Sequence, residues 1–305
     1  MNLLELGTEQ SNPASRNIDQ KNTLEILQII NEEDRRVPQV ITPQLPAIAA
    51  LVEAVVFSFQ RGGKLVYIGA GTSGRLGVLD ASECPPTYGT DPEMVQGLIA
   101  GGSRALVRSI ENAEDNAEAG VADLKHIHFT KDDVLVGLTA SGQAPYVIAA
   151  MDYARGLGAR VGAVSCNANS KTFAFADHPI YIPVGPEVVT GSTRMKAGTA
   201  QKLVLNMITT TAMIRIGKVY GNLMIDLKPV NKKLVERSKN LIAQATGCDR
   251  PTAERTFEES GRRPKIAILM VILGITADEA SQLEAAHQGH INQAISAWGL
   301  ERDVK

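Results

Sequence analysis

Apolar and polar residues follow a helical period over the first 60 positions of the chain. Apolar side chains recur there every three or four residues, as on one face of an amphipathic helix. The first predicted helix ends before Pro38, and a second helix, rich in Ala and Val, covers about 45–60. The first helix presents a broad apolar face made of Leu24, Ile26, Leu27, Ile29 and Ile30.

Beyond residue 60 the pattern changes to short runs that are β-branched and almost continuously apolar. Strands that are buried on both faces have this composition, so the runs predict a parallel sheet. Five strands are predicted, at 64–69, 93–101, 133–140, 159–166 and 178–185. Helical stretches lie between or after them, at 73–81, 105–125, 145–157 and 192–217. Strand alternating with helix predicts a doubly wound α/β fold with right-handed crossovers.

From about residue 221 the pattern predicts helices and no further strands. Four short helical stretches, separated by Gly or Pro, are predicted at 231–245, 252–260, 264–273 and 276–288. A small helical bundle is the natural interpretation. We therefore expect three parts, namely an N-terminal helical segment at 1–56, a sheet domain at 57–220 and a C-terminal bundle at 221–305.

The composition excludes several classes of protein. The 305 residues include 31 basic and 33 acidic side chains, for a net charge of −2, so no overall positive field attracts nucleic acid or anionic lipid. Cys84, Cys166 and Cys248 are odd in number and far apart, which is typical of a reducing compartment. The opening residues do not resemble a signal peptide, and the longest apolar stretch, 266–275, is too short to cross a bilayer. We expect a soluble cytoplasmic protein with no nucleic-acid or membrane partner.

Hydroxyl residues stand beside glycine after three of the predicted strands. The segments are GAGTSGR at 69–75, TASGQ at 139–143 and TGSTRMK at 190–196. Glycine lets the backbone approach a ligand, helix N–H groups point at it, and hydroxyls donate to anionic oxygens, so the loops together favour a phosphate cradle over simple N-caps. Ligands of open parallel sheets bind at this carboxyl edge. The candidate phosphate-binding residues are Thr72, Ser73, Gly74, Ser141, Gly142, Gln143, Ser192 and Thr193.

The glycines of the first loop also raise the possibility of a dehydrogenase. Gly69, Gly71 and Gly74 satisfy the G-x-G-x-x-G pattern of dinucleotide-binding proteins. That pattern needs an acidic residue near the end of the second strand, and the segment 98–102 contains none. The chain also lacks the G-x-x-x-x-G-K-[ST] loop of nucleotide kinases. The fingerprint alone is a weak signal.

Longer segments around these loops resemble a known family. GAGTSGRLGVLDASECPPT (69–87), the TASGQ loop and TGSTRMKAGTAQK (190–202) are similar to the N-acetylmuramic acid 6-phosphate etherases of the sugar isomerase (SIS) superfamily, and so is the opening segment 8–37. The glucokinase regulatory protein is a more distant relative. The resemblance covers nearly the whole chain.

The resemblance implies a lyase that removes the D-lactyl ether from C3 of a sugar 6-phosphate. The products would be N-acetylglucosamine 6-phosphate and D-lactate, in the recycling of bacterial cell-wall sugars. It also implies a flavodoxin-like strand order, a homodimer and a C-terminal bundle of the ubiquitin-associated type.

The implied reaction calls for general acid and base catalysis, because alkoxide is a poor leaving group. In the open-chain sugar the C1 aldehyde acidifies the C2 proton. A base can take that proton, an acid can protonate the departing lactyl oxygen, and water can add to the resulting double bond. Two carboxyl groups suffice, so we expect neither a metal nor a redox cofactor.

The resemblance makes Glu83 the acid and Glu114 the base. Glu83 is expected in a rigid turn that follows the first loop's helix and is stopped by Pro85 and Pro86. A protonated acid at neutral pH would need a pKa raised by desolvation or by a like charge. Glu114 is expected near the start of the helix after the second strand, where on pattern alone it reads as one of several solvent-facing acids.

Other candidates have weaker patterns. His126 and His128, and likewise His287 and His290, have no carboxylate at the spacing of a known metal signature, so surface or structural roles are favoured. Cys84 has no motif-placed histidine base and is expected to be a small buried side chain.

Two basic residues and two rival functions remain open. Arg194 and Lys196 either neutralise the phosphate or lactyl carboxylate, or lie on an ordinary helix surface. A sugar-phosphate sensor would keep the hydroxyl cradle but would need neither glutamate. An aldose–ketose isomerase would use one glutamate at C2 and no acid at C3.

Overall fold

The computed structural model of the chain describes residues 6–227, 229 and 231–303. These residues form two compact units. The larger unit extends to Ser82 and resumes over Pro92–Thr209. The smaller unit contains Glu83–Asp91 and the residues from Thr210 onward.

Within the described residues, the larger unit contains a five-stranded parallel sheet. The strands are β1 (Leu65–Gly69), β2 (Val95–Ile99), β3 (Val134–Leu138), β4 (Arg160–Ser165) and β5 (His178–Tyr181). Their spatial order is β2-β1-β3-β4-β5, with parallel pairing throughout. Every residue of β1 and β3 is buried, as expected for continuously apolar strands. The doubly wound α/β class and the flavodoxin-like strand order are confirmed.

Three helices precede the sheet, at α1 (Thr23–Asp34), α2 (Val37–Ile41) and α3 (Leu45–Gln60). A capping box starts α1, because the Asn22 side chain accepts from the Glu25 N–H and the Glu25 carboxylate accepts from the Asn22 N–H. In α3, Leu51 and Val55 are fully buried, and the helix contacts β1, β3 and β5. Much of the apolar face of α1 is exposed, including Leu24 and Leu27.

The N-terminal helical run is longer than the apolar stretch at 266–275. By length and composition, the run Thr23–Gln60 could cross a membrane, with a mean hydropathy of 1.8 in its most apolar window. A core helix that packs on a sheet has the same composition. Packing in the larger unit accounts for the buried residues Leu51, Val52 and Val55 of α3.

The helix after β1 is longer than predicted. Helix α4 covers Gly71–Tyr88 and runs through Pro85 and Pro86, so the expected Pro-pinned turn around Glu83 is wrong. Each proline removes one N–H donor from the helix, but its fixed φ of about −65° is itself helical. Since both prolines lie in the last turn of α4, the helix loses few hydrogen bonds.

The segment after β2 is less helical than predicted. The expected continuous helix at 105–125 is instead two 3-10 turns, Ser103–Leu106 and Ala113–Asp115, followed by α5 (Ala117–His126). Asn116 caps α5 by accepting from the Ala119 N–H at 3.0 Å. Glu114 therefore precedes the helix and lies in the second 3-10 turn.

Two further helices complete the alternation of strand and helix. These are α6 (Pro145–Gly156) and α7 (Lys196–Arg215). Helix α7 starts four residues after the predicted Ser192.

The smaller unit is mainly helical in its described residues. It contains α8 (Lys232–Thr246), α9 (Arg250–Glu259), α10 (Pro264–Leu273), α11 (Ala277–Ala286) and α12 (Ile291–Asp303). Ile242, Phe257 and Ile268 belong to its apolar core. Two features of this unit were not predicted. One is a short antiparallel hairpin, formed by β6 (Val219–Tyr220) and β7 (Leu223–Met224), which precedes the bundle. The other is the helix α12.

Candidate functional site

The first loop joins β1 to α4 with almost no connecting residues. A Cβ on Gly69 would lie 2.7 Å from the Gly74 nitrogen, and one on Gly74 would lie 2.6 Å from the Gly69 oxygen. These two glycines therefore let the helix start against the end of the strand. Gly71 has a φ of +53° and open space around it. At the start of the helix, Thr72 is half-buried and Ser73 is buried.

The second loop is ordered by its own hydroxyl groups. The Gly142 N–H donates to Thr139 Oγ1 at 3.1 Å, and the Gln143 N–H donates to Ser141 Oγ at 3.2 Å. Gly142 has a φ of +76°, and a Cβ there would lie 2.2 Å from Ser170 Oγ. The Gln143 side chain donates to a backbone carbonyl of the next loop at 3.4 Å. Part of the hydroxyl pattern thus shapes the loop itself.

The third loop is a turn that precedes α7. Gly191 has a φ of +76°, and the Thr193 N–H donates to the Gly191 carbonyl at 2.9 Å. Ser192 and Thr193 are both half-buried. Because α7 begins only at Lys196, their hydroxyls lie in the turn and not in the helix.

The first N–H groups of α7 are already satisfied by a protein carboxylate. The two oxygens of buried Glu187 accept from the Lys196 N–H at 3.0 Å and the Ala197 N–H at 2.9 Å. Burial raises the pKa of Glu187, while these two hydrogen bonds oppose the rise. Because Glu187 occupies these donors, an anion cannot be held by them as well. The third loop can offer its hydroxyls and turn.

Lys196 has neither of the roles considered from the sequence. Its side chain is only 2% exposed, and its Nζ lies 2.5 Å from Glu33 Oε2 of α1. Asn12 also donates to that carboxylate oxygen at 2.8 Å. Lys196 is therefore the buried partner of the N-terminal helix, whereas Arg194 is exposed in the turn before α7.

All three loops leave the same edge of the sheet. Gly69 is in register with Leu138, Leu138 with Val164, and Val164 with Ile180. The residues after these positions therefore emerge together at the carboxyl ends of the strands, where ligands of doubly wound sheets bind.

The helices that follow the first and third loops, α4 and α7, also contact each other. A Cβ on Gly198 would lie 3.3 Å from the Thr72 methyl carbon, and Ser73 Oγ donates to Gln201 Oε1 at 2.9 Å. The start of α4 therefore packs against the first turns of α7.

The N-terminal segment also reaches this edge, which the sequence analysis missed. The Asn167 amide donates to Thr8 Oγ1 at 3.1 Å, and the Gly191 N–H donates to the Thr8 carbonyl at 3.3 Å. The next residue, Glu9, is half-buried and places its carboxylate against Gly191. The signal available in the sequence was the polar TEQSN run ahead of the first helix.

Glu114 lies beside the first loop. Together with Gly71 and Arg75 it lines a cavity of about 200 Å³ at the carboxyl ends of β1 and β2. Arg75 fixes one wall of this cavity by donating to the carbonyls of Leu106 (3.1 Å) and Arg108 (3.4 Å). The exposed Glu114 carboxylate can therefore approach a ligand held by the loop.

Glu83 lies near the C-terminal end of α4. It is exposed within α4, twelve residues after Gly71, and at 1.5 Å per residue that separation is about 18 Å along the helix axis. Cys84, its neighbour, is 2% exposed, as expected of a small apolar side chain.

The histidine pairs do not form part of a metal-binding cluster in the described residues. Three or more His, Cys, Asp or Glu side chains do not come together there in an arrangement that could hold a metal ion. His126 and His128 are exposed, and His287 and His290 are half-buried.

Solved structures with similar folds support the sheet assignment. A phosphosugar isomerase from Bacteroides fragilis, described as putative in its published name, matches 64% of this chain and 91% of its own, with 20% identity and a TM-score of 0.50. A phosphoheptose isomerase from Neisseria gonorrhoeae matches 63% of this chain and 98% of its own, with 18% identity and a TM-score of 0.50. At these identities the similarity concerns the fold.

Sequence comparisons define the family. Residues 47–155 match the glucokinase regulatory protein N-terminal SIS domain, and residues 114–211 match the SIS domain. The N-acetylmuramic acid 6-phosphate etherase of Photorhabdus laumondii is 55% identical over 297 residues, covering 97% of this chain and 99% of the relative. That of Klebsiella aerogenes is 54% identical over 296 residues, with the same coverage. The chain belongs to the N-acetylmuramic acid 6-phosphate etherase family.

Proposed function

We propose that the chain cleaves the D-lactyl ether of N-acetylmuramic acid 6-phosphate with Glu114 as base and Glu83 as acid. Like its family, the chain is a carbon–oxygen lyase, and its products are N-acetylglucosamine 6-phosphate and D-lactate. This reaction serves the recovery of amino sugars from peptidoglycan. The observation that carries the assignment of the base is the cavity that Glu114 shares with Gly71 of the first loop.

The reaction proceeds by elimination and then addition. In the open-chain sugar, the Glu114 carboxylate takes the C2 proton and the electron pair forms a C2–C3 double bond. The C3–O bond breaks, and Glu83 protonates the departing lactyl oxygen. Water then adds its hydroxyl at C3 while Glu83 recovers a proton from it, and Glu114 returns a proton to C2. Each proton transfer contributes about 10²–10⁴ in rate.

Local donors hold the phosphate of the substrate. The hydroxyls of the three loops donate to the phosphate oxygens, together with backbone N–H groups at the start of α4. Thr72, Ser73, Ser141, Ser192 and Thr193 supply hydroxyls, and Gln143 supplies an amide. Gly74 and Gly142, whose N–H groups already donate to Ala70 and Thr139, let the backbone approach the phosphate closely.

The protein acts as a homodimer in which Glu83 comes from the second copy. Within one chain, about 18 Å of helix separates Glu83 from Gly71, which is longer than the distance from the phosphate to C3 of a hexose phosphate. The exposed apolar residues of α1, with Leu24 64% and Leu27 57% exposed, offer a surface for self-association.

The setting of the reaction is the cytoplasm, where sugar phosphates and reduced cysteines occur. Among the described residues, Cys84, Cys166 and Cys248 form no disulfide. The domain boundaries at 56/57 and 220/221, and the ubiquitin-associated character of the bundle, remain predictions.

The test is an assay of the purified protein with N-acetylmuramic acid 6-phosphate in deuterated water. We expect D-lactate release and one solvent deuteron at C2 of the product. A ketose product without lactate would instead identify an isomerase. Tight binding without turnover would identify a sensor.

A further inference from the structure

Gln201 occupies an unusual position behind the first loop. It lies on α7, is only 1% exposed, and its Oε1 accepts a hydrogen bond from Ser73 Oγ at 2.9 Å. Its Nε2 is also buried and has no hydrogen-bond partner among the described residues. A buried amide that uses its oxygen and leaves both N–H groups unpaired is costly.

The direction of this hydrogen bond matters because a serine hydroxyl has one proton. When Ser73 donates that proton to Gln201, its oxygen can only accept further hydrogen bonds. A phosphate oxygen also only accepts, so Ser73 in this state cannot bind it.

We propose that Gln201 is a positioning residue that switches Ser73 into a phosphate donor. Rotation of the Gln201 amide by 180° exchanges Oε1 and Nε2 with almost no change of shape. Nε2 then donates to Ser73 Oγ, and the Ser73 proton is free for the phosphate. The rotated state also pairs a buried N–H group that is otherwise unpaired.

Neighbouring contacts hold the two residues in place for this exchange. Thr72 packs against Gly198, one helical turn before Gln201, so the starts of α4 and α7 stay together. The amide therefore rotates inside a fixed frame, and the exchange changes the direction of one hydrogen bond.

This inference rests on the proposed phosphate role of Ser73, and the test separates the two. The proteins compared are wild type, Ser73→Ala, Gln201→Met, Gln201→Glu and the two double variants that combine Ser73→Ala with each change at Gln201. For each protein, calorimetry measures the binding of inorganic phosphate, and kinetics give KM and kcat. Ser73→Ala with wild-type phosphate binding would refute the phosphate role of Ser73.

The variants at Gln201 test the switch itself. A carboxylate at 201 only accepts, so Gln201→Glu captures the Ser73 proton, and we expect KM to rise about tenfold or more with a smaller change in kcat. Gln201→Met removes the donor to Ser73, and we expect KM to rise about threefold to tenfold.

The decisive readout is the coupling between the two positions. In the Ser73→Ala background, we expect Gln201→Met and Gln201→Glu to cause no further loss of phosphate binding. An equal loss with and without Ser73 would refute the switch, since it would show that Gln201 acts through charge or packing alone. A wild-type KM in Gln201→Met would refute it as well, even if Gln201→Glu does not fold.

Discussion

At the scale of single residues, a buried ion pair connects α1 to the start of α7. Lys196 and Glu33 are each only 2% exposed, and Asn12 adds a third hydrogen-bonding group. Breaking one partner of such a pair leaves an uncompensated buried charge, whereas replacing both partners is often tolerated. The pair fixes the N-terminal segment at the edge of the sheet where the site lies.

We predict that Lys196→Met lowers the free energy of unfolding by about 3 kcal/mol, because the Glu33 carboxylate loses its buried cation and keeps only the exposed Arg36 at 3.2 Å. Denaturant unfolding measures the change. Lys202→Met removes an exposed lysine from the same helix and serves as the matched control, with little expected effect. The double variant Glu33→Leu, Lys196→Met should recover most of the loss, and no recovery would contradict this explanation.

The same pair makes stability depend on pH. Burial opposes ionisation of Glu33, but its hydrogen bonds from Lys196 and Asn12 and the nearby charges hold its pKa below the usual 4.5. A carboxyl with a lowered folded-state pKa stabilises the protein above its unfolded-state pKa, and this stabilisation is lost as the pH falls through the folded-state pKa.

We therefore predict that the difference in Tm between wild type and Glu33→Gln is full at neutral pH and shrinks as the pH is lowered below 4.5. Thermal melts over a pH series measure it. A difference that stays constant down to pH of about 3.5 would contradict the assignment.

At the scale of elements, the helix α4 determines the geometry of the site. It starts against the end of β1, carries Thr72 and Ser73 in its first turn, and carries Glu83 about 18 Å from its first residue, Gly71. The close approach of Gly69 and Gly74 fixes where the helix begins. A shift of this start would move Thr72 and Ser73, the proposed phosphate-binding residues, with it.

We predict that Gly74→Ala raises KM for the sugar phosphate by about tenfold or more, because its Cβ would lie 2.6 Å from the Gly69 oxygen and displace the first turn. The overpacking should also lower the free energy of unfolding by about 1–3 kcal/mol.

Gly156→Ala is the control for this substitution, since a Cβ at that helical position meets no atom within 4 Å. Its KM should equal that of wild type. If both variants had the same KM, the close approach of strand and helix would not position the loop.

The strands and the hydroxyl loops were predictable because their signals are local. All five strands were found within a few residues of their ends, as expected for β-branched runs with no competing pattern. The end of α4 was not predictable from the pattern, because the two prolines, which usually stop a helix, lie inside its last turn. The partners of Ser73 and Lys196 lie 128 and 163 residues away, so a local pattern could not identify Gln201 or Glu33.

At the scale of the whole molecule, the near-neutral charge of −2 means that no general field draws in the anionic substrate. Affinity depends on local donors at the sheet edge. In the proposed homodimer, where Glu83 comes from the second copy, activity depends on assembly.

We predict that two inactive variants restore activity when they are mixed. Glu83→Gln and Glu114→Gln should each abolish D-lactate release. After unfolding and refolding together, half of the dimers would be mixed, and each mixed dimer would contain one intact site. Activity should therefore recover to about a quarter of wild type.

Refolding each variant with itself is the control for this experiment and should give no activity. No recovery in a mixture shown to contain mixed dimers would mean that both glutamates act from the same chain.

The N-terminal segment at the sheet edge has a consequence for synthesis on the ribosome. Thr8 is made before its partner Asn167, which follows 159 residues later. At about 5–20 residues per second, the segment waits roughly 8–30 s before its binding place exists. During that interval a chaperone or a protease can reach the N-terminal segment. The nascent sheet domain becomes protected only when this segment binds at the sheet edge.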